Sequence, residues 1–543
     1  MGTEIPTSRR IGAPKSRTGC KTCKIRKVKC GEEKPSCLRC STTGRKCDYE
    51  DETPSTGPFT PSALIPSDML SLSPNSGRRE RRAFEYYFQY ASTQLASGMS
   101  IDFWTTVVPQ ICRSEPAVWD AMIAISALFE YPDQCLDFTY LRNQRQQPRS
   151  LTQVQQEALV WYSRSISSIQ SQFDRRGADP YIALISCILF ICIETMQGRV
   201  EEALQLYRQG VSLVFDLRAQ VGHGRVSASK AALLEETIIP LFLRLGAISL
   251  TISGVQANGL YRPAEIEELS AFQSVDAARL SITVLSTEAQ LLEREAQEHL
   301  TAVGGDSAAS KDMIYRQQSL LNKLTCWHRA YINMCHGVYP GSSVPLNAEP
   351  VLLTYYAASF IYVSECLTQR ELVYDYHIER FRTIVEQAVL ALAATAGPTS
   401  AQPPFTFEMG VGIPLFLTGL KCRDPLLRRK ALKLLRQAPP MQGFFKCTPV
   451  AQLAESLMKI EESYSLALGR HTGSHMATIP EEARICKYGI FRPENGLPPG
   501  VAEEDIAGYN CGPGQVFLVY WRNCFDGNSN TWKKISHAVP IIN

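Results

Sequence analysis

Two copies of one spacing, Cys-x2-Cys-x6-Cys, lie in tandem near the start of the chain. The first copy is Cys20, Cys23 and Cys30; the second is Cys37, Cys40 and Cys47. The 28 residues from Cys20 to Cys47 hold three sizeable aliphatics, Ile25, Val28 and Leu38. These cannot enclose a core, and a segment this short needs a staple. The staple is either a set of disulfides or a metal. A disulfide framework suits a secreted chain. The opening MGTEIPTSRR has no apolar run, so no signal peptide is expected. A spacing that repeats twice is also poor evidence for chance scatter, and metal is the better reading. Zinc takes about four thiolates at ~2.3 Å in a tetrahedron, and Cys-x2-Cys brings two of them to one ion from a single turn. Metal binding is worth roughly 10–16 kcal/mol to zinc-finger peptides near neutral pH, enough to fold a piece without a core. Six thiolates fill two tetrahedral sites if two of them bridge both ions. Such closed sites leave no position for water, so the metal is expected to be structural.

Charge is concentrated in the same region. Residues 1–50 carry 13 Lys and Arg against 5 Asp and Glu, a net of +8, whereas the whole chain sums to +3. That asymmetry is the footprint of a polyanion partner, a class that includes double-stranded DNA. A short helix after Cys20 would present Lys24, Arg26, Lys27 and Lys29 within about two turns. Lysine and arginine can donate to guanine O6 and N7 in the major groove. The plainer alternative for a basic run is a solvated face or an import signal.

The segment resembles the zinc binuclear cluster (Zn2Cys6) DNA-binding module of fungal transcription regulators. It agrees at all six cysteines, in the basic run Lys24 to Lys29 and in the loop proline Pro35. The resemblance implies two Zn2+ per chain with Cys20 and Cys37 as the bridging ligands. Cys20, Cys23, Cys30 and Cys37 would surround one ion, and Cys37, Cys40, Cys47 and Cys20 the other. It also implies a helix in the major groove, with Lys27 as the main base-reading side chain and Arg26 beside it. A CGG triplet would be the favoured site, Lys29 would complete the basic run, and the protein would work in the nucleus. Arg17, Lys21, Lys24, Arg45 and Lys46 are expected on phosphates, which position without specifying.

The expected organisation is a basic N-terminus over 1–19, the DNA-binding module over 20–50 and a linker over 51–77. An α-helical domain over 78–480 and a C-terminal appendage over 481–543 follow. The fold class is mainly α, with a small β-containing appendage. In the linker, 14 of 27 residues are Pro, Ser or Thr, and its five prolines forbid a continuous helix. A homodimer, if formed, must therefore use residues after 77. From Arg78 onward, Ala83, Phe84, Tyr87, Phe88 and Ala91 share a helical face. Asp102 reads as an N-cap for a helix to Ile111, Pro116 as the start of another, and Ser150 with Gln153 as a capping box. Pro180 to Met196, a stop at Gly198, and Val200 to Leu217 read as a helical hairpin. Further helices are expected near 231–250, 311–335, 351–368, 371–394 and 423–437. The run Tyr181 to Ile193 is too short to span a membrane, and no membrane partner is expected. Val516 to Trp521 has strand composition, after a turn at Gly512-Pro513-Gly514.

Gly410 to Gln437 resembles the C-terminal part of the all-helical regulatory domain of fungal zinc-cluster regulators, and Ser114 to Val118 and the 180–217 hairpin fit the same family. This implies a domain that regulates, dimerises or takes up a small apolar metabolite. Arg428, Arg429 and Lys430 read as a solvated helix face. Glu503, Glu504 and Asp505 read as surface. The twelve cysteines outside the repeat read as buried thiols. Cys326, His328, Cys335 and His336 follow no zinc spacing and read as core or surface residues. No phosphate-binding loop, dinucleotide fingerprint, His-Glu-x-x-His or nucleophile-elbow motif occurs, so an enzyme is not expected.

Overall fold

The computed structural model describes residues 20–26, 28–34, 36–47, 77–96, 102–132, 151–175, 179–254, 260, 271–303, 310–336, 348–397, 401–469, 479–509, 515–527 and 531–541. The expected linker (apart from Gly77), Ser150 and the Gly512–Gly514 turn lie outside them. The chain divides into two compact units, Met1–Ser71 and Leu72–Asn543.

The first unit contains two short helices, Lys21–Ile25 and Leu38–Ser41. Its centre is sulfur. Cys20, Cys23, Cys30, Cys37 and Cys40 are buried, with Cys47 packed against them. The aliphatics face outward: Ile25 is 74% exposed and Leu38 65%.

The second unit is mainly α, as its spacing predicts. Pro116–Glu130 starts on its proline, a position whose missing N–H costs nothing. Gln153–Asp174 starts on a capping box two residues later than expected. Thr152 Oγ1 accepts from the Gln155 amide, and Gln155 Oε1 accepts from the Thr152 amide at 3.0 Å. The helix over 103–111 is present, but Asp102 is itself helical and its side chain caps nothing. Pro180–Met196 is buried on nearly every side, which accounts for its apolar run. Gly198 then turns the chain at φ 74°, in the left-handed region glycine tolerates. The return helix, Val200–Gly222, runs five residues beyond Leu217. It lies so close to the helix Ile239–Ser253 that a Cβ on Gly210 would sit 2.6 Å from the Phe242 ring.

Lys311–Cys335 has the expected bounds, and Ala348–Glu365 and Pro425–Gln437 lie within three residues of theirs. Ile378–Thr395 starts seven residues later than the expected 371, after the 3-10 turn Leu372–His377. Val275–Val303, Gly412–Lys421 and Cys447–Ala467 lie outside the ranges that the spacing picks out. One contiguous core joins these helices and contains Tyr87, Trp104, Tyr207, Phe242 and Trp327. No helix among the described residues is long and apolar enough to cross a membrane. Cys112, Cys192, Cys366, Cys422 and Cys447 are buried, but Cys187, Cys335, Cys486 and Cys524 are half-buried and Cys326 is exposed, which corrects the reading of all the dispersed cysteines as buried. His328 stacks on Tyr356 with ring centres 4.4 Å apart.

The tail is an antiparallel sheet of Ile485–Phe491, Phe517–Asp526 and Thr531–Pro540, with Tyr488 opposite Tyr520 and Val519 opposite Ala538. Glu503, Glu504 and Asp505 are exposed. The sheet is anchored to the helices by buried charge. Glu481 accepts from the amides of Glu371 (3.0 Å) and Leu372 (2.9 Å). Arg484 reaches Asp375 at 2.6 Å, and the Ile485 amide donates to Glu461 at 2.7 Å. Glu461 also binds Arg423 (2.8 Å) and Arg428 (2.6 Å). This corrects the reading of Arg428 as solvated. Its side chain is buried and points at Glu461 and the Gly419 carbonyl, while Arg429 and Lys430 do face solvent.

Candidate metal centre and nucleic-acid interface

Each half of the first unit follows one plan. A cysteine, Cys20 or Cys37, stands at the N-cap of a short helix, and the next, Cys23 or Cys40, lies one turn in. The third returns to meet the first. The Cys20 amide donates to Cys30 Sγ at 3.3 Å, and the Cys37 amide donates to Cys47 Sγ at 3.2 Å. Equal sequence spacing has become equal geometry. The halves are also tied across, since Thr22 Oγ1 donates to the Lys46 carbonyl at 2.8 Å. Between them, Glu33 accepts from the Leu38 amide at 3.0 Å, and that bond holds its carboxyl below the usual range.

The sulfurs form two overlapping quartets. Cys20, Cys23, Cys30 and Cys37 make one; Cys20, Cys37, Cys40 and Cys47 make the other, with Sγ atoms in each within 4.8 Å of one another. Cys20 and Cys37 belong to both. The Cys20–Cys37, Cys20–Cys40 and Cys23–Cys37 Sγ separations are 3.7, 3.7 and 3.6 Å. A tetrahedron with zinc–sulfur bonds of ~2.3 Å has edges of about 3.8 Å, so the donor set fits zinc in both spacing and chemistry. None of the six is joined in a disulfide. Burial raises the Cys40 thiol to about 12 and pushes Cys20 and Cys23 up as well. Burial acts the same way on Cys37 and Cys47, but amide and thiol hydrogen bonds outweigh it and lower both. Six thiols packed this closely need cations to coexist as thiolates.

Around the sulfur, the described basic side chains face outward. Lys24, Lys29, Arg45 and Lys46 are exposed, and Arg26 is half-buried with its guanidinium 3.4 Å from Thr43 Oγ1. Arg17, Lys27 and the side chain of Lys21 lie outside the described residues. The exposed Arg39, on the first turn of Leu38–Ser41, is a basic residue that the sequence reading left out. The internal repeat was the available signal, because it gives the second half a helix like the first.

Residues 18–56 match the family model described as the fungal Zn(2)-Cys(6) binuclear cluster domain. The chain is 24% identical to the aspercryptin biosynthesis cluster-specific transcription regulator of Emericella nidulans, across 88% of this chain and 92% of the relative. It is 33% identical to a Zn(2)-C6 fungal-type transcription factor of Aspergillus fumigatus, over 22% of this chain and 34% of that one. A transcription regulator of Purpureocillium lilacinum is 26% identical over 36% of this chain and 48% of its own. No solved structure matches the chain.

Proposed function

We infer that this chain, which carries the fungal Zn(2)-Cys(6) binuclear cluster domain with its two zinc ions, is a DNA-binding transcription regulator and not an enzyme. We further propose that Cys20 and Cys37 bridge the two ions, with Cys23 and Cys30 completing one site and Cys40 and Cys47 the other. The single observation that carries this reading is the pair of sulfur quartets sharing those two residues.

The helix Lys21–Ile25 is shorter than the two turns expected and ends before Arg26 and Lys29; the proposed major-groove element is this helix with the residues that follow it, reading CGG-like triplets through Lys27 and Arg26. Arg17, Lys21, Lys24, Arg45 and Lys46 hold the phosphates, and Lys29 and Arg39 add to the basic surface beside them. Exposure of the described members supports this assignment. The proposed site of action is the nucleus. The relative that matches along most of its length is named for a biosynthesis gene cluster, which supports control of a similar cluster here. The helical unit is then the regulatory part, the place for a homodimer contact and for a small metabolite.

Selection of the zinc-loaded, full-length protein on random duplexes at near-physiological salt tests this. Enriched CGG-like triplets are expected, paired at one spacing if the protein is a dimer. No enrichment with zinc bound would overturn sequence reading and leave a module for non-specific or protein contacts.

A further inference from the structure

A cleft of about 550 Å³ lies where the helices of the second unit meet the C-terminal sheet. One wall is the end of Val275–Val303, with Glu293. Another is the segment 368–374, and Lys487 and Lys534 line the cleft from two strands of the sheet. DNA reading makes no use of it.

Its charges divide into matched and unmatched ones. Glu371 is matched twice, by Lys421 at 2.6 Å and Arg423 at 3.0 Å. Arg294 donates to the Leu250 and Gly254 carbonyls, each at 3.1 Å, and so closes a neighbouring helix end. Three lining cations remain. Arg370 stacks over Trp532 at 4.0 Å, Lys487 lies over Trp521 at 5.2 Å, and Lys534 is exposed. Stacking fixes the first two without neutralising them. Two lining carboxylates have no ion pair among those above: Glu298 is exposed and Glu293 half-buried. Burial pushes the Glu293 carboxyl up, against the pull of Lys421 and Arg294.

We propose that this cleft binds a small organic anion, whose carboxylate or phosphate sits among Arg370, Lys487 and Lys534. The proposal rests on the reading of the helical unit as regulatory, and it names the ligand class and the place. An apolar guest would strip water from these charges without replacing it. The expected apolar metabolite therefore suits this cleft less well than an anion does. The position also couples ligand to fold. The segment 368–374 faces the cleft, and its backbone is held by the tail: Glu481 takes the Glu371 and Leu372 amides, and Arg484 donates to the Glu371 carbonyl at 3.0 Å. An anion held by Lys487 and Lys534 of the sheet and by Arg370 of the segment 368–374 links the two.

The test is titration of the zinc-loaded, full-length protein with acetate, succinate, citrate and inorganic phosphate, with succinamide as the neutral control, by calorimetry and thermal stabilisation. Saturable binding of at least one anion is expected, with Kd at or below about 1 mM. The K487E/K534E double variant is expected to lose about tenfold, and Glu293→Gln, which removes a like charge, to gain about threefold. A response to phosphate alone identifies a phosphoester; a response to carboxylates identifies an organic acid. Silence from all four anions, an equal response to succinamide, or unchanged binding by the double variant overturns the proposal. Weaker binding by Glu293→Gln overturns the anion class in favour of a ligand with a positive group. Duplex selection on the same samples separates the two conclusions, since intact triplet reading without anion binding removes the cleft alone.

Discussion

The two units bury opposite things. The first hides five cysteines and leaves Ile25 and Leu38 in water. The second hides a continuous hydrocarbon core and seals its seam with the carboxylate of Glu461 between two guanidiniums. In one, burial is a consequence of coordination, and the apolar side chains are bystanders. In the other, apolar burial does the folding, and the buried ions fix where the last element docks. Loss of metal should therefore be fatal to the first and almost unnoticed by the second.

The widest separation is expected from the shared sulfurs. Cys20→Ala or Cys37→Ala removes a ligand from both quartets, whereas Cys30→Ala or Cys47→Ala removes one from a single quartet. With roughly 10–16 kcal/mol of folding free energy at stake in small zinc modules, the bridging variants should lose both ions and all DNA binding. Zinc content per chain measures this, and the second unit's thermal transition should not move. Retention of one zinc by Cys20→Ala would break the comparison.

Next comes the seam. Glu461→Ala leaves Arg423 and Arg428 buried with their shared partner gone, a change that costs about 3–5 kcal/mol. The denaturation midpoint of the second unit should fall while zinc content stays. Acid should act in the same place. Burial alone would raise Glu461, but Arg423 and Arg428 hold its carboxyl down at about 2, against an ordinary value of 4.5. A lowered folded-state value means the contribution is full above about pH 4.5 and is lost as pH falls through about 2. Denaturation of wild type and Glu461→Ala across that window should converge toward the acid end. The sulfur module should fail before this, because protons compete with zinc for thiolates.

A smaller effect is expected from Lys27→Ala, which should relax preference for the triplet by about 1–3 kcal/mol while preserving most non-specific affinity. Equal losses on specific and random duplexes would remove Lys27 from base reading. If five phosphates are held, log affinity should fall against log salt with a slope of about −4.5. The smallest change should be Ile25→Ser. An exposed aliphatic on a metal-built fold should shift stability by within about 0.5 kcal/mol, against about 3–5 kcal/mol for Phe242→Ala in the second unit. Comparable losses at the two sites would show that the first unit has a hydrocarbon core after all.

These contrasts also explain what the sequence could reveal. The sulfur quartets were legible because every ligand lies within one short, repeated spacing. Lys311–Cys335 was legible because its apolar stripe is local and regular. Val275–Val303 was not, since its face includes Ser281, Thr283 and Ser286, buried polar residues that blur the hydrophobic period. Arg428 was misjudged with its neighbours Arg429 and Lys430. It shares a stripe with Ala431, Leu432 and Leu435, and that spacing was a usable sign of burial. Its partner was not readable, because Glu461 lies 33 residues away and only packing brings them together. The cleft is illegible for the same reason, being assembled from five distant stretches of chain.

The sharing of Cys20 and Cys37 has a consequence for metal supply. An ion entering either quartet gathers half of the donors that the other quartet needs. Where this preorganisation outweighs the repulsion between the two cations, the first arrival makes the second easier, loading is concerted and half-filled chains are scarce. When zinc runs short, such a population divides into fully competent and fully silent molecules. Scarcity would lower the number of working regulators and leave the discrimination of each survivor intact.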